Sequence, residues 1–229
     1  MKTDVTSIVE DPDLVEKRRH QIVVAATQLF SEQGFYKTTI KDIAKKAGVS
    51  AGLVYLYVRE KEDVLLLVLL QVVEAYAREI PKAMENFTDP LERLMRAVEA
   101  YCRVVDGHRA ATVLAYRSTK SLSPDRRELI QQRETETNDI IANAIVACMK
   151  AGLIRKLNVD VLTYQLVLVA HGWALKSWYF KSRLTLEEYI VDSLDILLAG
   201  VLTPVGQLHR AELRDRDARN DLGPRNSRA

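Results

Sequence analysis

The chain has 229 residues, 48% of them hydrophobic and 28% charged, with a net charge of +2. That is enough for a substantial core, in one large domain or in a small domain beside a medium one. Two cysteines and four scattered histidines exclude a disulfide framework and any metal centre built on clustered Cys or His. No apolar run approaches the length of a bilayer span, and no apolar signal region opens the chain, so a cytoplasmic protein with no membrane partner is expected.

Met1 to Leu14 holds four acids against one base and reads as a disordered leader. A helix follows from Val15 to Glu32, with Ile22, Ala26, Leu29 and Phe30 on one face, and Gly34 stops it. A second helix starts at Thr39. That threonine caps it, and Asp42 three residues on completes a capping box. Its buried stripe is Ile40, Ile43, Ala44 and Ala47. Gly48 makes the turn, where a positive φ suits glycine. Ser50 then caps a very short third helix through Tyr57.

A long amphipathic helix runs from Glu60 to Ile80, ended by Pro81. Further helices are expected over Pro90–Val105, Arg109–Thr119, Pro124–Ala151, Val159–Phe180 and Leu186–Val201. From Pro204 the chain is rich in Arg, Asp and Asn, poor in apolar residues, and reads as a disordered tail. Alternating strand patterns are scarce, so the fold class is all-α. The expected division is a leader (1–14), a three-helix N-terminal domain (15–61), a larger helical domain (62–203) and a tail (204–229).

Charge is unevenly spread. Val15 to Lys61 carries nine bases and four acids, a surplus of five on a near-neutral body. Such a segment suits a polyanion, although a solvated helical face reads the same way. The second and third helices around the Gly48 turn match a helix-turn-helix, whose last helix fits a DNA major groove. Ser50, Ala51, Gly52 and Leu53 would approach base edges. Three of them are very small, so discrimination is expected to be shared with DNA shape. Thr39 and Lys61, at helix starts, are placed for phosphates, with Thr38 beside them. Tyr55 and Tyr57 add hydroxyls able to bond phosphate oxygens. A core aromatic is the lesser alternative for Tyr55; Lys41, Lys45 and Lys46 read also as a wet face, from which Lys45 and Lys46 give long-range attraction.

Residues Lys17 to Asp63 resemble the N-terminal domain of the TetR family of transcriptional regulators. The order is a helix, Gly-Phe, Thr-Thr, Ile-x-x-Ile-Ala, Ala-Gly-Val-Ser, Gly-x-x-Tyr-x-Tyr and Lys-Glu. The resemblance covers about a fifth of the chain. It implies a homodimer that binds a palindromic double-stranded operator, most often as a repressor, with a small-molecule effector held in the larger ligand-binding and dimerisation domain. Family DNA contacts fall on Thr39, Ser50, Ala51, Leu53, Tyr55, Tyr57 and Lys61. Ala51 stands where the family often has Lys, and Leu56 where it often has His.

The last two helices look suited to pairing, through Leu162, Leu166, Val169 and Ala170 on one and Tyr189, Ile190, Leu194, Leu197 and Leu198 on the other. Such residues are core or interface, and a four-helix dimer bundle uses both. For the effector, Arg109, Tyr116 and Arg117 share one helix, and Trp173, Lys176 and Trp178 another. Arg with Trp suits an anionic ligand bearing a flat ring. The second stretch, with the following Thr-Leu-Glu-Glu-Tyr-Ile, resembles the acyl-CoA-sensing branch of the family. Two readings stay open beside this. The tryptophans serve as core and interface aromatics, or the ligand is cationic and uses Glu99, Asp106 or Glu134. His171 reads as a satisfied core histidine.

No Gly-x-Gly-x-x-Gly, P-loop, His-Glu-x-x-His or Gly-x-Ser-x-Gly is present, so neither an enzyme nor a bound cofactor or metal is expected. An all-helical small-molecule carrier is the remaining alternative to a DNA-binding regulator.

Overall fold

Asp11 turns the chain into its first helix: its carboxylate accepts from the Asp13 and Leu14 amides at 3.1 and 3.2 Å, and Pro12 supplies the fixed φ that suits a first turn. The computed structural model describes residues 5–221, with side chains as far as Arg216. Among the described residues there are eleven α-helices and no strand. The chain divides into two units. The first holds the chain up to Arg78 with Val104–Thr137 and Ala174–Ser177; the second holds Glu79–Arg103, Asn138–Trp173 and the chain from Trp178 on.

In the first unit, α1 (Pro12–Gln33) buries Ile22, Val23, Ala25, Ala26 and Phe30. It ends at Gly34, whose φ of 87° a residue with a Cβ adopts only under strain. Helix α2 (Ile40–Lys46) has the capping box complete in both directions, and α3 (Ala51–Tyr55) is capped by Ser50. Gly48, at φ 69°, makes the turn between them. Helix α4 (Lys61–Met84) runs one turn further than expected. Pro81 sits inside it; the proline ring removes the amide partner of the Ala77 carbonyl, at a stretch where Ala77 and Pro81 are both exposed. Helix α5 (Pro90–Gly107) leads to α6 (Arg109–Ser118), a single 3-10 turn (Thr119–Ser121) and α7 (Pro124–Lys150). Helix α1 packs against both α2 and α6.

The second unit contains most of α8 (Val159–Leu175) and of α9 (Ser177–Phe180), then α10 (Leu186–Ala199) and α11 (Pro204–Asp221). The single helix expected from Val159 to Phe180 is two, broken at Lys176. Two expectations of disorder are corrected. Of the leader, residues 1–4 lie outside the described residues. Val5, however, is buried and its carbonyl takes a bond from the Arg19 guanidinium at 2.5 Å, while the Ile8 amide donates to the Leu56 carbonyl at 2.9 Å. Leu14 is already helical.

The tail from Pro204 is likewise helical to Asp221, and 222–229 lie outside the described residues. Its composition hides the reason. Its basic residues are paired with carboxylates outside the tail: Arg210 and Arg214 with Asp195, Arg216 with Glu92 at 2.5 Å, and His209 with Asp89 at 2.6 Å. Leu213 and Gly206 are buried against this surface.

Candidate nucleic-acid interface

Helices α2 and α3 meet around Gly48 and are held to α1 by Gln21, whose amide donates to the Ala47 carbonyl at 2.6 Å. Ile43 and Val54 are fully buried between the helices, and this burial sets which face turns out. The outward face carries Thr39, Ser50, Gly52 and Tyr55, with Ala51 and Leu53 half-buried. Around it stand the exposed lysines Lys37, Lys41, Lys45 and Lys46. Tyr55 is 49% exposed, so the core reading of that phenol does not hold. The Ser50 hydroxyl accepts from the Leu53 amide at 3.1 Å, which leaves the first amides of α3 without partners inside the helix. The Thr39 hydroxyl proton is taken by Asp42 at 2.7 Å. The same contact, with the Thr39 amide, lowers the Asp42 pKa.

Three residues expected at this face are placed elsewhere. Thr38 is fully buried and its hydroxyl donates to the Gly34 carbonyl at 2.9 Å, closing the turn after α1. Tyr57 is 2% exposed; its carbonyl is held by the Arg19 guanidinium at 3.2 Å. Lys61 has become an internal clamp. Its ammonium donates to the Phe35, Tyr36 and Thr38 carbonyls at 2.8, 3.3 and 2.9 Å and stands 4.4 Å from the Phe35 ring centroid. An ammonium has three hydrogens, so none remains for a phosphate. Partial burial lowers its pKa.

Beside Lys61 lies a cluster that sequence reasoning missed. Arg126, near the start of α7, meets Asp63 and stands 3.1 Å from Glu60 and 3.3 Å from Glu62. Asp63 is 2% exposed and its second oxygen caps α4, accepting from the Arg59 and Glu60 amides at 2.7 and 3.1 Å. Burial pushes the Glu62 carboxyl up, but the bond from the Ser123 amide at 2.7 Å and the nearby Arg126 outweigh it, so its pKa lies below the usual value. The first turn of α4 is thus tied on one side to the Phe35–Thr38 turn and on the other to the start of α7. No local pattern signals this, because the partners lie 23 to 66 residues apart in sequence.

The six residues expected to hold an effector fall into two groups. Arg109, Tyr116, Arg117 and Lys176 belong to the first unit, Trp173 and Trp178 to the second. Arg109 lies 3.6 Å from Asp106, while Tyr116, Arg117 and Lys176 are exposed. Trp173 is 2% exposed, stacked on Phe180 at 6.2 Å and tilted against Tyr189 at 5.1 Å, so it is a core aromatic. Trp178 is 75% exposed and therefore lines no enclosed pocket here. The interior of the second unit instead holds Tyr101, Asn138 and His171, all buried. His171 was singled out as a core histidine; Tyr101 and Asn138 were not, though a lone amide within the apolar stripe of α7 is a signal in the sequence.

Of the residues read as core or interface, Val169 and Leu197 are half-buried. Leu162, Leu166, Ala170, Tyr189, Ile190, Leu194 and Leu198 are buried inside this one chain, because α8 and α10 turn those stripes into the core. Their outer faces carry a different apolar set: Val161, Tyr164 and Leu168 on α8, and Val191 and Ile196 on α10, between 47% and 76% exposed.

Among the described residues no helix is long and apolar enough to cross a membrane. A family model described as "Bacterial regulatory proteins, tetR family" matches residues 22–68, and one described as "Tetracyclin repressor-like, C-terminal domain" matches residues 88–201. The HTH-type transcriptional regulator HbdR of Aromatoleum sp. (strain CIB) is 53% identical over 209 residues, 91% of each chain. The HTH-type transcriptional repressor KstR2 of Mycolicibacterium smegmatis (strain ATCC 700084 / mc(2)155) is 25% identical over 204 residues, 87% of this chain and 98% of that one. The crystal structure of AibR in complex with isovaleryl coenzyme A and operator DNA has a TM-score of 0.69 at 21% identity, over 79% of this chain and 98% of that one. That last likeness is one of fold.

Proposed function

The chain belongs to the TetR family of bacterial transcriptional regulators, and from that premise we propose that it acts as a homodimeric repressor whose hold on a palindromic operator is relaxed by an acyl-CoA thioester. One observation carries the dimer: the outer faces of α8 and α10 expose Val161, Tyr164, Leu168, Val191 and Ile196, and nothing among the described residues covers them. Exposed apolar residues mark an interaction surface where they cluster, and self-pairing across a twofold axis is the commonest solution. A dimer then sets two α3 helices one DNA turn apart, which gives a site long enough to be selective.

The acyl-CoA class is supported by the ligand held in the AibR structure and by the sequence resemblance after Trp173. The DNA contacts we propose are Thr39, Ser50, Ala51, Gly52, Leu53 and Tyr55, the expected residues that remain at the surface. Effector binding would tilt α4, which begins at the Lys61 clamp, and so change the spacing of the two α3 helices; only a difference in effector affinity between the two states can drive this. A rival reading, a lipophilic cation, is favoured by Glu134. Glu99 and Asp106 are neutralised by arginines, whereas burial alone raises the Glu134 pKa, with no cation offsetting it.

Sedimentation and operator titration test these readings together. The native chain is expected to sediment as a dimer and the double variant Leu168→Glu, Ile196→Glu as a folded monomer with operator affinity reduced at least a hundredfold. Short-chain acyl-CoA thioesters are expected to release operator. Release by tetraphenylphosphonium in their place would transfer the assignment to the cationic class.

A further inference from the structure

Helices α5, α7 and α8 bring three polar side chains of the second unit into one apolar interior. Tyr101, Asn138 and His171 are 1%, 3% and 7% exposed. The Tyr101 hydroxyl stands 3.4 Å from Asn138 Oδ1 and 3.4 Å from His171 Nε2. A well-made O–H···O bond is about 2.7–2.8 Å, so the three groups face one another at the outer limit of bonding. Asn138 Nδ2 is fully enclosed and has no partner among the described residues. Turning the amide over exchanges which atom meets the phenol and still leaves one atom unmade. Residues within two turns along the same helices are buried and apolar: Ala97 and Val98 on α5, Ile141 and Ile145 on α7, Val167 and Ala170 on α8.

A buried amide hydrogen without an acceptor is costly, and native proteins satisfy such groups with water or a ligand. We propose that Tyr101, Asn138 and His171 form a binding site for a neutral oxygen, a hydroxyl or a carbonyl, on an otherwise apolar small molecule. Asn138 Nδ2 donates to that oxygen, and a ligand hydroxyl donates in turn to Tyr101 or His171. The chemistry selects a neutral group. None of the three side chains brings a charge, since burial lowers the His171 pKa to about 4, and a carboxylate or phosphate placed there would be buried without a counter-charge. The proposal deepens the effector reading and rests on it: the trio grips the apolar end of an effector and distinguishes oxygenated from plain hydrocarbon groups. A hydrogen-bonding site rejects an analogue that lacks the partner far more strongly than an apolar pocket does.

The test uses the full chain with 4-methylphenol and toluene, which differ by one hydroxyl, in calorimetric titrations and thermal shifts. The native protein is expected to bind 4-methylphenol saturably and at least tenfold more tightly than toluene. Asn138→Leu is expected to fold, to keep its melting temperature, and to bind the two within about twofold of each other. Thr163→Val, which removes another buried hydroxyl without a partner on α8, is expected to keep the native preference. Binding of neither probe, equal binding of both by the native chain, or an Asn138→Leu variant that keeps the preference would each overturn the proposal; the last assigns Asn138 to a buried water only. Failure of the effector reading shows separately, as an intact preference in a protein whose operator affinity responds to neither 4-methylphenol nor any acyl-CoA thioester.

Discussion

Lys61 shows how far a single side chain can be from its sequence reading. A lysine at the start of a helix beside a helix-turn-helix suits a phosphate, yet three carbonyls consume its hydrogens. Its influence on DNA binding is therefore indirect, through the shape of the Phe35–Thr38 turn. Lys61→Met is expected to weaken operator binding on the order of tenfold while the dependence of log K on log salt keeps its slope. A phosphate contact would lose about one unit of slope on removal, so titrations from low to moderate salt decide, and a flattened slope would return Lys61 to the interface. Thr39 and Ser50 were legible because a cap bonds within three residues of itself. Lys61 and Tyr57 were not, because their partners converge only once the chain has folded; Thr38 closes a local turn onto Gly34, which a Thr-Thr pair at a helix start does not distinguish from a phosphate contact.

Among the elements, the firmest joint is the first turn of α4. Asp63 is buried with Arg126 against it, and removing one partner of a buried ion pair strands the other. Arg126→Ala is expected to lower unfolding free energy by about 3 kcal/mol, read from urea midpoints. A loss below about 1 kcal/mol would mean that the amides capping Asp63 suffice alone.

Helix α11 depends on a different device, close approach. Gly206 faces the Leu153 carbonyl so nearly that a Cβ would collide with backbone. Gly206→Ala is expected to cost about 2 kcal/mol and to lower the melting temperature by several degrees, and an unchanged melting curve would show that α11 yields freely. The sequence showed neither device. Arg-rich, Leu-poor stretches look disordered until Asp89, Glu92 and Asp195 are seen beside them. Apolar stripes such as Leu162–Leu166–Ala170 mark a buried face without telling whether the same chain or a second copy covers it.

At the scale of the whole molecule, acid is the informative perturbant. His171 has a pKa of about 4 in the folded chain against an ordinary value of 6.5. Above pH 6.5 neither state holds the proton and the group contributes nothing to pH dependence. Between 6.5 and 4 the unfolded chain takes up a proton that the folded chain refuses, so stability falls with pH, by on the order of 3 kcal/mol across the window. His171→Gln is expected to lack that increment. The stability difference between the two proteins should be constant above pH 6.5 and shift toward the variant below it, and a difference that stays flat to pH 4 would contradict the placement of His171.

The helical pairing of α11 bears on how relatives of this protein are trimmed. The matched C-terminal domain stops at Val201, three residues before α11 begins. A chain cut at that boundary would bare Asp89, Glu92 and Asp195 while deleting His209, Arg210, Arg214 and Arg216, which meet them. The surface those carboxylates share with α11 would become acidic, and a shortened fragment would report a fragility that belongs to the scissors rather than to the intact regulator.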